Sequence, residues 1–182
     1  VTVSTGIGGG ILLNGQIYTG LHGFAGEIGH ASVDINGPLG KSTVPGAVES
    51  FSSGAALARI AKECIIAGHA SVIKINDISA EIIFEAYNKG DLLAKKVIDQ
   101  GIRHLGLGLT NMVNILDPEM IIIGGGLSNE WKTYIAPAVS IMRTLSFAGM
   151  GSDIKVVPPK LGANAGALGG VALAVDNLGA NL

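Results

Sequence analysis

Cysteine is almost absent from these 182 residues: Cys64 stands alone, so neither an internal disulfide nor a multi-cysteine metal cage can form within the chain. Charge is scarce as well, at 14% of residues, and 12 Lys and Arg against 14 Asp and Glu leave a formal net charge of -2. With no cationic excess to grip a phosphate backbone, nucleic-acid binding by this segment is disfavoured. Apolar runs are short and broken by Gly, Asn, Asp and Lys, far below the roughly 18 to 20 residues that span a bilayer. A lone cysteine in a helical apolar pattern reads as a core residue and fits a reducing, cytoplasmic setting. The chain opens on Val1 within what reads as a strand already in progress, and an N-terminal portion upstream of it is expected.

What the sequence has in quantity is apolar and small: 48% hydrophobic residues and 28 glycines. That composition is the reverse of a disordered chain and suits one globular domain with a real core. The segment 1–5 is β-rich, and Asn14-Gly15 between 11–13 and 16–18 signals a tight hairpin. Residues 20–50 are rich in Gly, Ser, Pro and His and read as a functional loop region, with a short strand available at 28–35. Ser53 is a plausible N-cap for a helix from Gly54 to Ala67 that ends at Gly68, and a short second helix fits 79–88.

From Asp91, apolar residues recur at i+3 and i+4 as far as Leu116, which predicts a long buried helix. Its glycines at 101, 106 and 108 cost helix propensity, so close approach of another backbone is expected there. Asp117-Pro118 stops it, 119–123 reads as a buried strand, and Gly124-Gly125-Gly126 turns into a helix beginning near Ser128 or Asn129. A strand at 154–157 and a small-residue helix at 163–177 complete an alternation that argues α/β.

Three glycine clusters invite a chemical reading. Thr5-Gly6-Ile7-Gly8-Gly9-Gly10 lies between two strands, where glycines let backbone N–H groups approach a polyphosphate. It is not a dinucleotide fingerprint, which needs a following helix, nor a P-loop, which needs Lys then Ser or Thr; taken alone, the motif favours a ligand-free turn. Gly124-Gly125-Gly126 follows the carboxyl end of a strand, where α/β sheets place ligands, or simply makes a tight turn. Gly162 to Gly170 reads as well as close helix packing.

Taken in order, TGIGGG at 5–10, GFAGEIGH at 23–30, LDPEMIIIGGG at 116–126 and GANAGALGG at 162–170 resemble the ROK family of sugar kinases and sugar-responsive repressors, over nearly the whole chain. The resemblance implies an α/β, actin-like ATPase (ribonuclease H-like) domain with a mixed sheet and flanking helices, here the C-terminal nucleotide- and sugar-binding domain. It implies that Thr5, Gly6, Gly8, Gly9 and Gly10 hold nucleotide phosphates and that Gly124, Gly125 and Gly126 hold the adenosine side, with ATP and Mg²⁺ as cofactors. It maps the family's hexose ligands onto Glu27, His30 and Glu49. Carboxylates accept paired bonds from neighbouring hydroxyls and a neutral imidazole donates or accepts at another. Without the resemblance, Glu27 and His30 read as a surface i,i+3 pair and Glu49 as a first-turn helix acid.

The sequence departs from the family in two places. The CxCGxxGC segment that, with the EIGH histidine, holds a structural zinc aligns with Gly40, Ser42 and Ala47, so zinc is expected to be absent and the 37–46 loop to be held by packing, Pro38 and Pro45. The family's DxGGT motif and its catalytic Asp belong upstream of residue 1, and Asp34, Asp117 and Asp153 match neither. The resemblance therefore implies an ATP-dependent hexose kinase whose general base lies outside this segment, leaving the segment alone inactive. The alternatives are the sugar-sensing domain of a repressor with an upstream DNA-binding segment, or a non-catalytic interaction module. A homodimer or homotetramer is expected on family grounds.

Overall fold

The computed structural model describes residues 1–40 and 43–179. Its elements are β1 (Thr2–Val3), β2 (Ile7–Gly8), β3 (Ile11–Leu13), β4 (Gln16–Tyr18), α1 (Val48–Ser52), α2 (Gly54–Ile66), α3 (Ala80–Asn88), α4 (Leu92–Leu116), β5 (Met120–Ile122), α5 (Ala136–Leu145), β6 (Lys155–Val157) and α6 (Ala165–Gly179). The antiparallel pair β1–β2 joins β5 along the other edge of β1, where Val3 donates its N–H to the Gly124 carbonyl at 2.8 Å and Gly124 donates to Val1 at 2.9 Å. β5 pairs in parallel with β6, and Ile123 extends the pairing to Val157. The result is a mixed sheet in the order β2-β1-β5-β6 with its buried side chains, Val3, Ile121 and Ile123, turned toward the helices.

α4 is the spine of the core. Asp91 caps it, with Oδ1 accepting the Ala94 N–H at 2.8 Å, and the periodic residues Leu93, Val97, Ile98, Leu105, Leu109 and Val113 are buried. It ends at Asp117, whose left-handed backbone (φ 41°) turns the chain into Pro118. A Cβ on Gly106 would stand 2.7 Å from the Ile141 side chain and 3.0 Å from the Ala138 carbonyl of α5, the one backbone atom of the expected approach. At Gly101 and Gly108 the close neighbours are side chains instead: the Tyr134 hydroxyl at 2.5 Å and Val48 Cγ2 at 2.6 Å. No helix among the described residues is long and apolar enough to cross a membrane.

Several local features differ from the sequence reading. The first strand stops at Val3, because Ser4 donates to the Gly6 carbonyl at 2.9 Å and the chain reverses at once into β2; the glycine motif is a tight hairpin rather than an open loop. Residues 28–30 form a 3₁₀ turn, and of the expected strand at 28–35 only a bridge from Ser32 to Ala47 exists, since Gly29 must fit beneath the Ile7 carbonyl. α1 is an additional short helix before Ser53. After Gly125 the chain winds as 3₁₀ (Gly126–Glu130), then as a π turn (Trp131–Ile135), and only then as α5, so winding begins before Ser128. The last helix lies two residues later than expected, behind a 3₁₀ turn at Gly162–Asn164.

Candidate functional site

The site is assembled on the β1–β2 hairpin. Its tip, Ser4 to Gly6, is gripped by the start of α2: Gly54 donates to the Ser4 carbonyl at 2.8 Å and Ala55 to the Thr5 carbonyl at 3.3 Å, while Ser53 Oγ caps Ala56. On one side of this tip a cleft of about 380 Å³ opens. Thr5 and Gly126 both line it, so the first glycine motif and the last residue of the second meet at one cavity. They meet because β1 and β5 are neighbouring strands, which carries their following turns side by side.

The cleft's lining contains no Lys or Arg; its carboxylates are Glu81 and Glu130. Positive potential there comes from the N-termini of α2 and α3, each a helix long enough for its aligned peptide dipoles to favour an anion. Glu81's own N–H, then the Ser79 hydroxyl, hold its carboxyl below the ordinary range. Phe84 and Leu127 supply apolar wall. Sequence reasoning did not place α3 at this site. Ser79 is legible as a helix cap, yet nothing in the local pattern says that the cap faces residues some 75 positions earlier.

The remaining glycines serve the backbone. Gly9 lies against Gly26, where a Cβ would sit 2.6 Å from the Gly26 carbonyl; Gly8 and Gly10 have open space around them. Gly124 is a sheet residue, and Gly125 (φ 93°) passes so close to the Val3 carbonyl that a Cβ would stand 2.5 Å from it. None of these five lines the cleft, and neither does Gly6, where a Cβ would stand 2.6 Å from Glu49 Oε2.

Glu49 and the turn that carries Glu27 and His30 are brought to Ile7 in β2, directly after the hairpin tip. The 28–30 turn packs on Ile7 through Gly29. Glu27 Oε2 lies 3.6 Å from His30 Nε2, and both side chains keep a large exposed surface, 49% and 40%. Glu49, in the first turn of α1, sends Oε2 to the Ile7 N–H at 2.8 Å. Val48 ties α1 to the turn by donating to the Ala31 carbonyl at 3.0 Å. His30 Nδ1 is buried without a hydrogen-bond partner among the described residues.

The loop after His30 is held by main-chain bonds. Val33 donates to Gly46, Gly46 to Pro38 and Gly37 to Asp34, each at 2.9 Å, and Ser32 Oγ donates to the Pro45 carbonyl at 2.8 Å. Gly46 (φ 60°) lies directly on the Asp34 carbonyl, and Gly37 packs against the Phe51 ring, whose plane stacks on His104 at 3.8 Å. The donor set does not fit a structural zinc: Gly40 has no side chain, Ala47 offers a buried methyl, and Ser42 lies outside the described residues. His30 is one ligand where a closed tetrahedral site needs four.

The mixed sheet with flanking helices is an α/β domain, and its likeness to solved ROK kinases places it in the actin-like ATPase class of fold. The family model for the ROK family matches residues 1–177, and the chain belongs to that family. It is 33% identical over 179 residues to a glucokinase of Halalkalibacterium halodurans, covering 93% of this chain and 53% of that protein. It is 31% identical over 161 residues to the DNA-binding transcriptional dual regulator NagC of Escherichia coli, covering 88% and 40%. Among solved structures, a ROK family glucokinase from Streptomyces griseus in complex with glucose and AMPPNP superimposes with a TM-score of 0.79 at 30% identity, over 94% of this chain and 58% of that one. The chain spans about half the length of the curated relatives it matches.

Proposed function

We propose that residues 1–182 are the C-terminal domain of an ATP-dependent hexose kinase, binding nucleotide at the Thr5–Gly126 cleft and sugar at Glu27, His30 and Glu49. The observation that carries this reading is the single hairpin shared by both: Thr5 at its tip lines the cleft, and Ile7, two residues on, is gripped by Glu49. Thr5 and Gly126 meet the nucleotide, Gly6 forms the tip beside Thr5, and Gly9 and Gly125 allow the close backbone approaches that hold the two turns. The residues fit a nucleotide: small groups and helix N-termini admit a polyphosphate, and Phe84 and Leu127 offer an apolar wall to a base. Bound with ATP, Mg²⁺ supplies charge neutralisation on the phosphates.

On the sugar side, Glu27 and Glu49 accept hydrogen bonds from sugar hydroxyls and His30 Nε2 bonds another hydroxyl. Orientation of the sugar toward the γ-phosphate is these residues' contribution to rate. Asp34 Oδ1 accepts the Asn36 N–H and Asp117 shapes the end of α4; neither is assigned as the general base, which belongs to chain outside these residues. The same reading includes a cytoplasmic homodimer or homotetramer, for light scattering to decide, and no structural zinc.

The similarity to NagC favours a second reading, in which the domain senses sugar for a transcriptional repressor. One experiment separates them: a coupled ADP-release assay on the full-length protein with ATP·Mg²⁺ and a panel of hexoses and N-acetylhexosamines. Sugar-dependent ADP release is the expected result. Sugar-induced thermal stabilisation with no turnover would replace the kinase by the sensor. Glu27→Gln, which loses a charge-assisted hydrogen bond, and His30→Ala, which loses a hydrogen-bonding ring and its packing, are each expected to raise the sugar KM about tenfold or more, with the ATP KM nearly unchanged.

A further inference from the structure

Glu49 stands between the two halves of the proposed site. Its Oε2 accepts the Ile7 N–H at 2.8 Å, and the same atom lies where a Cβ on Gly6 would be 2.6 Å away. The hairpin tip is thus moulded around one carboxylate oxygen. The preceding residue, Val48, bonds to Ala31 beside His30. α1 therefore holds the Thr5-Gly6 hairpin with one residue and the Glu27–His30 turn with its neighbour.

We propose that Glu49 is a positioning residue that couples sugar binding to nucleotide binding: Oε2 fixes Ile7 and with it the Thr5-Gly6 tip, while Oε1 is left for a sugar hydroxyl. The inference rests on the nucleotide-and-hexose reading above and adds a role to it. A sugar held on Oε1 restrains the carboxylate and so pre-orders the tip, which lowers the ordering cost of nucleotide binding. Because binding coupling is reciprocal, nucleotide tightens sugar by the same factor. Glu27 makes no hydrogen bond to the hairpin among the described residues, and its contribution stays on the sugar side.

The test is titration calorimetry of the full-length protein with AMPPNP·Mg²⁺ in the absence of sugar, for wild type, Glu49→Ala, Glu49→Gln and Glu27→Gln, followed by titration with the hexose that gives most ADP release or, failing turnover, most stabilisation. Glu49→Ala removes the anchor, and its AMPPNP Kd is expected to rise about tenfold or more, in line with a lost bond to a charged group. Glu49→Gln keeps an amide oxygen for Ile7, so its AMPPNP Kd should stay within about threefold of wild type while its sugar Kd rises, and Glu27→Gln should raise the sugar Kd alone. Rescue by Gln is a response that general destabilisation would not give.

If Glu49→Ala weakens sugar but leaves AMPPNP binding intact, the coupling is overturned and the sugar assignment survives. If wild type binds no AMPPNP, or Glu49→Ala changes neither ligand, the functional reading falls and the inference with it. Should Glu49→Ala not fold, Gly6→Ala replaces it: Gly6 is outside the cleft's lining and its methyl displaces Oε2 from the Ile7 N–H, so an AMPPNP Kd that rises about tenfold supports the coupling, whereas an unchanged one overturns it.

Discussion

Tyr134 is fully buried, and its hydroxyl donates to the Ser52 carbonyl at 2.7 Å, while Ser52 Oγ donates to the Gly101 carbonyl at 2.9 Å. Burial pushes the phenol well above its ordinary range, against the smaller opposing effect of the Ser52 bond, so it stays a neutral donor wherever the protein is folded. Tyr134→Phe leaves the Ser52 carbonyl unpaired in the core and is expected to cost about 1–3 kcal/mol, read as a lower urea midpoint with an unchanged slope. Gly101→Ala sets two effects in opposition. Helix propensity favours alanine by about 1 kcal/mol, but the new methyl meets the Tyr134 hydroxyl at 2.5 Å and Leu57 at 2.8 Å, and overpacking of that kind costs about 1–3 kcal/mol. Net destabilisation is the expected result. The sequence signalled that Gly101 had a packing reason to exist, but its partners, Tyr134 and Leu57, lie 33 and 44 positions away and only the folded core identifies them.

At the scale of elements, α4 tests how a cap holds a long helix. Asp91 accepts bonds from Ala94, from the Val72 N–H at 2.8 Å and from Ser71 Oγ at 3.0 Å, so it also ties down the chain before α3. Partial burial pushes its carboxyl up, yet the bonds from Ala94, Val72, Ser71 and Leu93 together outweigh that and bring it below its usual 3.8. A depressed folded pKa means that the stabilisation is complete above the unfolded value and disappears as pH falls through the folded one. Asp91→Ala is therefore expected to cost about 1 kcal/mol near neutrality, with the gap between variant and wild type closing below about pH 3.8 in denaturation series at stepped pH. α4 and its cap were legible because apolar periodicity persists over seven turns. The turn at 28–30 and α1 were not, because three and five residues carry no period, and what fixes them is contact with Ile7 and Ala31.

For the whole molecule, the family's motifs were legible in order and spacing, whereas their division of labour was not. Only Thr5, Gly6 and Gly126 of eight nucleotide candidates sit at the hairpin tip or the cleft; of the others, Gly9 and Gly125 permit close backbone approaches. The loop between His30 and Ala47 carries its own ladder of main-chain bonds. Dialysis against EDTA is accordingly expected to leave the melting temperature unchanged, with less than stoichiometric zinc by elemental analysis; a large drop in melting temperature would mean that a metal holds this loop after all.

The hydrogen bonds that Gly124 makes with Val1 and Val3 also bear on how such a domain can change over time. Two turns hung from adjacent strands keep their separation only while the strands keep register, and slipping one past the other by a residue displaces a tip by about 3.3 Å. Insertions and deletions should thus be purged from 2–8 and 120–126 while accumulating at Asn14-Gly15, on a β3–β4 hairpin whose exposed Leu12, Ile17 and Tyr18 are no part of the cleft's lining. A library of two-residue insertions scored for sugar-dependent ADP release would draw that boundary along the chain.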